Sequence, residues 1–287
     1  MRQEQIRLPW YFKWIKVFFK ITEILFPPLA NYWAYKFFTT PLQYPYPEKE
    51  KPYYHQAKKQ HFTYQGKSIM CYEWGSEEKP TILLMHGWSA RATQFRTIID
   101  ALLTNYHLVA IDAPAHGKSE GKETDLFGFA GAMKKIVHNY PNLYAIIGHS
   151  LGGVAAILNV KNGLPVEKLV VMASPAVASD ILDNFIQRIN AFPQRARYLK
   201  RAMKKKYNLD FEQATASEVV KNFPEVPCLL VYDEQDEEAP IRHGEILKAQ
   251  MKHAQLLTTR GLGHTRILHN QHVIQSIIKF LDNDESP

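Results

Sequence analysis

The feature that most constrains this chain is the stretch Leu143 to Gly153, LYAIIGHSLGG. Five apolar residues, Leu143 to Ile147, run into Gly148-His149-Ser150-Leu151-Gly152, and a second apolar run, Val154 to Leu158, follows. The first run reads as a buried strand and the second as a helix. Strand, turn and helix must pass close together here, where a side chain at 148 or 152 would collide, and glycine removes that collision. The strained turn pushes the Ser150 hydroxyl out into a cleft. The Leu151 amide opens the helix, where unsatisfied N–H groups and the helix dipole favour a developing negative charge. G-x-S-x-G between a strand and a helix is a nucleophile elbow, which makes Ser150 the predicted nucleophile and Leu151 N–H a predicted oxyanion donor.

The remaining runs predict the scaffold. Thr81 to Met85 (TILLM) is a near-continuous apolar run, as expected of a strand buried on both faces. His107 to Ile111, Lys168 to Ala173, Cys228 to Tyr232 and Gln255 to Thr259 read as further strands. Helices are expected over Ala90 to Leu103, Asp125 to Asn139 and His269 to Leu281, and a hairpin turning at Gly66 over His61 to Trp74. Strands alternating with helices define an α/β fold with a doubly wound, mainly parallel sheet, whose sites form at the carboxyl ends of the strands. The expected organisation is an aromatic helical extension over 1–40 and a linker over 41–57, within which Pro41 to Pro52 is proline- and charge-rich. The core follows over 58–177, then a mostly helical insertion over 178–223 and the rest of the core over 224–287.

The chain has 287 residues and a formal net charge of +7, with the basic residues concentrated in two places. No nucleic-acid motif accompanies them, so nucleic acid is not an expected partner. One concentration is Arg195 to Lys206, RARYLKRAMKKK, with seven basic residues and no acid. The other is residues 6–38, where Lys13, Lys16, Lys20 and Glu23 form one helical stripe and Trp10, Trp14, Val17, Phe18, Ile21 and Leu25 lie opposite. The charges interrupt this segment too early for a transmembrane span, and no small-residue cleavage site follows it. Pro27-Pro28 ends the first helix, and a second is expected over Leu29 to Phe38. The apolar face suits a membrane interface, but equally packing on the core or on a second protomer in a homodimer. The two cysteines, Cys71 and Cys228, fall in predicted strands and belong to no C-x-x-C pair. They read as reduced core residues, in keeping with a cytoplasmic or membrane-peripheral location, and no metal or other cofactor is expected.

Five pieces, in this order, make residues 58–284 resemble the α/β-hydrolase family of carboxylesterases, monoacylglycerol lipases and serine aminopeptidases. They are Met85-His86-Gly87-Trp88, Asp112-Ala-Pro-Ala-His-Gly-Lys-Ser119, Gly148-His-Ser-Leu-Gly-Gly153, Asp236-Glu-Glu-Ala-Pro240 and Gly263-His264. Ala115 departs from the glycine usual in the second piece, and Asp233 from the glycine frequent before the fourth. The resemblance implies His264 as the base and Asp236 as the acid that orients it, with Asp233 the second choice. It also implies Trp88 N–H as the second oxyanion donor and the insertion 178–223 as a lid. His86, His116 and His149 read as structural hydrogen-bonders, and Asp112 and Ser119 as loop-fixing groups. The function implied is a serine hydrolase cleaving small, acyl- or lipid-like carboxylic esters through an acyl-enzyme. Alternatives are an acyltransferase, thioesterase or lipase using the same triad, or a catalytically silent membrane- or partner-binding module.

Overall fold

A strand covered by helices on both faces reads as a near-continuous apolar run, and four strands of the parallel part of this sheet are buried along their whole length with a single polar residue at one end of each. The computed structural model describes residues 12–283. Residues 6–11, Trp10 among them, the side chain of Lys13 and residues 284–287 lie outside the described residues. The described chain divides into two units, one of residues up to Thr39 with Ala178–Phe211, the other of Thr40–Val177 with Glu212 onward.

The helices in chain order are α1 (Phe12–Leu25), α2 (Pro27–Thr39), α3 (Lys51–Gln56), α4 (Arg96–Leu102), α5 (Leu126–Val137), α6 (Leu151–Lys161), α7 (Ala178–Ile189), α8 (Gln194–Tyr207), α9 (Ala216–Val219), α10 (Ile241–Gln250), α11 (Gly263–Arg266) and α12 (Gln271–Asp282). The strands are β1 (Lys58–Tyr64), β2 (Lys67–Trp74), β3 (Thr81–Met85), β4 (His107–Ile111), β5 (Leu143–His149), β6 (Lys168–Met172), β7 (Cys228–Asp233) and β8 (Ala254–Thr259).

In the larger unit the sheet order is β1-β2-β4-β3-β5-β6-β7-β8. β1–β2 and β2–β4 pair antiparallel, and from β4 onward every pair is parallel. The sheet is therefore doubly wound and mainly parallel, with an antiparallel hairpin at one edge. β3, β4, β6 and β7 are buried along their whole length. The hairpin turns through Gln65 and Gly66, both at positive φ (50° and 71°), as a two-residue primed turn requires. Cys71 and Cys228 are free, buried thiols in β2 and β7, and burial pushes the Cys71 thiol up to about 12.

The stretch expected as a linker is not featureless. Glu48–Glu50 forms a single 3₁₀ turn that leads into α3, with proline in the first helical turn, where its missing N–H would be unpaired anyway. Glu50 is buried and accepts a hydrogen bond from Thr93 Oγ1 at 2.7 Å. A long-range partner, not local propensity, orders this segment.

The smaller unit brings together α1, α2, α7 and α8, segments separated by some 140 residues of chain. Phe19 is fully buried among Ala30, Ala34 and Ile189, with the Phe37 ring 5.8 Å away. Glu23 is buried beside them. Its carboxylate accepts from Arg195 Nε at 3.0 Å and from Phe192 N–H at 2.9 Å. Arg195 also donates to Pro27 O at 3.3 Å and to Asn31 Oδ1. Lys20 completes the cluster, 3.6 Å from Glu23 and with its ammonium 3.3 Å from the centre of the Phe192 ring. The charged stripe of α1 therefore faces protein. Residues 212–223, expected as part of the insertion, fall in the larger unit, where Ser217 N–H donates to Ala176 O at 3.1 Å.

Removing one partner of a buried, hydrogen-bonded pair leaves an uncompensated charge. Arg195→Met is expected to destabilise the four-helix unit by about 3 kcal/mol or more, and the double variant Glu23→Gln/Arg195→Met should recover much of that loss. Hydrogen exchange of α1 and α2 amides measures it. Unchanged protection in Arg195→Met would show that the pair does not hold the unit.

Candidate active site

β5 ends at His149 and α6 begins at Leu151, so Ser150 alone makes the turn between them. Its backbone sits at φ 53°, ψ −124°, a conformation that costs a non-glycine residue roughly 1–3 kcal/mol and persists only where neighbours impose it. They do so by proximity. A Cβ on Gly148 would lie 2.5 Å from the Gly153 Cα, and one on Gly152 would overlap the Met85 carbonyl oxygen at the end of β3. Ser150 N–H donates to Met172 O of β6 at 2.9 Å, fixing the turn to the neighbouring strand. The half-buried Ser150 side chain is thus presented at the carboxyl edge of the sheet.

His264 lies in α11, the short helix after β8, and Asp236 in the loop after β7. His264 Nδ1 is 2.8 Å from Asp236 Oδ2, and the Asp236 side chain is fully buried while that of His264 is 15% exposed. The other Asp236 oxygen accepts from the backbone N–H groups of Glu238 (2.8 Å) and Ala239 (3.0 Å), which fixes the carboxylate before it meets the imidazole. Asp233, the second-choice acid, is otherwise occupied. It accepts from Thr259 Oγ1 (2.8 Å), Leu262 N–H (2.9 Å) and Gln235 N–H (2.9 Å). Burial alone would raise its pKa, but these donors outweigh it and hold the carboxyl below its usual range. Asp233 therefore shapes the loop that carries His264.

The turn after β3 approaches the elbow from the other side. A Cβ on Gly87 would lie 2.9 Å from Ser150 Cβ, so the backbone of Gly87-Trp88 passes close to the serine. The Trp88 ring stacks on Phe129 at 6.4 Å and meets His116 edge-on at 5.2 Å, which makes it a wall of this turn. Leu151 is the first residue of α6, so its N–H belongs to the unpaired first turn of that helix.

The loops around the elbow are held by neutral imidazoles. His86 Nε2 accepts from Ala113 N–H at 2.9 Å while Nδ1 donates to Gly87 O at 2.7 Å. His116 Nε2 accepts from Ser89 N–H at 3.0 Å while Nδ1 donates to Pro114 O at 3.0 Å. His149 Nε2 donates to the carbonyl of His264 itself at 2.8 Å, with the two rings 4.8 Å apart. His86 and His116 each act as donor and acceptor together, which only the neutral ring can do. Burial pushes His86 well below its ordinary value, His116 to about 4 and His149 to about 3. Asp112 ties the loop after β4 by accepting from Ala92 N–H, Lys118 N–H and Tyr72 OH, each at 2.8 Å. Ser119 Oγ donates to Asp112 O at 2.5 Å and accepts from Met70 N–H at 2.8 Å. The sequence did not reveal that His149 braces His264, since a contact across 115 residues leaves no local pattern. Nor did it reveal that Glu238 Oε2 stands 3.8 Å from His264 Nε2.

The profile of the Alpha/beta hydrolase family matches residues 82–274, about two thirds of the chain. The chain belongs to this family. The chain is similar to the human serine hydrolase-like protein, 31% identical over 126 residues, a match covering 41% of this chain and 62% of the relative. It is also similar to mouse monoacylglycerol lipase ABHD6, 27% identical over 140 residues, covering 45% of this chain and 41% of the relative. The chain thus spans less than two thirds of the length of these curated relatives. The solved esterase Pf2001 of Pyrococcus furiosus superposes with a TM-score of 0.64 at 18% identity, over 84% of this chain and 95% of that one. This likeness shows a shared fold.

Two outcomes follow from the site's construction. Gly152→Ala should destabilise the protein by about 3 kcal/mol or prevent folding, because the clash is with backbone; a melting temperature within a few degrees of wild type would contradict the close approach. The buried histidines have folded pKa values below their unfolded value near 6.5, so the unfolded chain binds more protons between those values. Their stabilisation is complete above about pH 6.5 and is lost as pH falls toward 4. With His86, His116 and His149 contributing about three protons, stability should fall by roughly 4 kcal/mol per pH unit between pH 6 and 5. Calorimetry measures this, and a flat profile over that interval would refute the neutral assignments.

Proposed function

We propose that this protein is a hydrolase that cleaves carboxylic esters through an acyl-enzyme on Ser150. The observation that carries the reading is the 2.8 Å contact between His264 Nδ1 and the buried Asp236 carboxylate, on segments that follow β8 and β7 at the same sheet edge as the strained Ser150 turn. A serine hydroxyl is a weak nucleophile until a base takes its proton. With Nδ1–H given to Asp236, His264 Nε2 carries the lone pair that can accept it. Ser150 Oγ then bonds to the ester carbon as its proton passes to Nε2. The carbonyl oxygen takes on negative charge, which the amides of Trp88 and Leu151 receive. Collapse breaks the carbon–oxygen bond to the alcohol, and the imidazolium returns the proton to that leaving group. Water repeats the sequence on the acyl-enzyme, releasing the carboxylic acid and restoring Ser150. Asp236 stays ionised and stabilises the imidazolium throughout. The monoacylglycerol lipase relative supports an acyl- or lipid-like ester as substrate.

Fluorophosphonate labelling of wild type beside Ser150→Ala tests the assignment. Wild type should label, and the variant should remain folded, fail to label and turn over esters at least about a thousand-fold more slowly. Near wild-type turnover by Ser150→Ala would exclude Ser150 as nucleophile.

A further inference from the structure

An amphipathic helix normally turns its apolar face to protein and its charges to water. In α1 the arrangement is reversed. The described charges of its polar stripe, Lys16, Lys20 and Glu23, are half-buried or buried, and Glu23 is fully enclosed by Arg195 and the Phe192 amide. The opposite face is open. Trp14, Phe18, Ile24, Leu25 and Phe26 are each 60–68% exposed, and Ile21 is 50% exposed. The open face continues past the junction, because only Phe26 separates α1 from α2 and the first turns of α2 expose Leu29, Tyr32 and Trp33. An apolar surface of this extent has an occupant.

Charge identifies it. Residues 12–39 and 178–211, the described part of the smaller unit, hold twelve basic and four acidic residues, a net of +8. The whole chain is +7 with 35 basic and 28 acidic residues, so the remainder, with 23 and 24, sums to −1. The unit with the exposed apolar face thus carries the entire positive excess. Arg197, Arg201, Lys204, Lys205 and Lys206 of α8 are exposed. A second copy meeting this face would oppose two such charges, whereas an anionic lipid surface attracts them and accepts the apolar side chains. As described, both helices are shorter than a bilayer-spanning helix. They have 14 and 13 residues, about 20 Å each, and among the described residues no helix is long and apolar enough to span. The indole and phenol rings of Trp14, Tyr32 and Trp33 suit the headgroup boundary.

We propose that the exposed face of α1 and α2 inserts into the surface of an anionic lipid bilayer, with the basic α8 supplying electrostatic attraction. The buried Glu23–Arg195 pair holds the charged stripe inward, so the face is presented before lipid is met. The proposal stands apart from the chemistry at Ser150.

The full chain is floated with vesicles of phosphatidylcholine containing phosphatidylglycerol and, in parallel, with phosphatidylcholine alone. Wild type should bind the anionic vesicles at least about tenfold more strongly and show a blue-shifted tryptophan emission. Phe18→Glu/Ile24→Glu/Phe26→Glu changes only exposed side chains; circular dichroism should match wild type while vesicle binding falls about tenfold or more. Arg201→Gln/Lys204→Gln/Lys205→Gln should weaken anionic binding alone, as added salt does. Fluorophosphonate labelling in detergent-free buffer should be unchanged in both variants, which separates this test from that of Ser150. Failure of wild type to bind, unchanged binding by the triple glutamate variant, or equal binding to both vesicle types would overturn the proposal. So would a dimer by light scattering that the glutamate variant dissociates without any vesicle binding.

Discussion

The close approach of the first turn of α6 to the end of β3 is the constraint on which the larger unit depends. Gly152 touches the Met85 carbonyl and Gly148 touches Gly153, so strand and helix meet with no side chain between them. Ser150 has only one residue in which to reverse direction, and it takes a positive φ to do so. The strain is sustained because β5 is buried in the sheet centre between β3 and β6. The local conformation is unfavourable, and the packing around it overdetermines it.

Around that turn, the molecule solves a problem of backbone polarity. Loops at the carboxyl edge of a parallel sheet bury N–H and C=O groups that no ladder satisfies. Asp112, Ser119 and the neutral imidazoles of His86 and His116 do this work, each bridging backbone groups from different segments. A charged side chain would lose hydration without a partner at these positions, whereas a neutral histidine offers one donor and one acceptor at fixed spacing. His149 extends the same scheme to His264 by donating to its carbonyl, so the orientation of that imidazole is set both through its backbone and through Asp236.

The four-helix unit follows a different logic. Its interior is small, centred on Phe19, Ala30, Ala34 and Ile189, and a buried ion pair accompanies it. Such a pair is a poor source of net stability, since desolvation offsets most of the attraction. It is well suited to fixing orientation, because only one rotation of α1 brings Glu23 to Arg195. The rotation it selects leaves a broad apolar surface facing outward.

Much of this was legible in the sequence. The period of apolar runs gave the order of strands and helices, and two glycines flanking a serine after a buried strand located the elbow. Asp112 and Ser119 were readable as loop anchors through their local bonds, to Lys118 N–H and to the Asp112 carbonyl, whereas their bonds to Tyr72, Ala92 and Met70 come from distant segments. The amino-acid sequence by itself determined the α/β class, the position of Ser150 and the existence of an amphipathic α1, since each depends on neighbours in the chain. Tertiary structure decided what depends on distant neighbours. It placed Asp236 rather than Asp233 against His264, ordered Glu50 through Thr93, and joined Glu23 to Arg195 across 172 residues. Helical periodicity shows that a helix has two faces, but which of them turns inward is settled only by the partner it meets, and for α1 that partner is the carboxylate-binding guanidinium of α8.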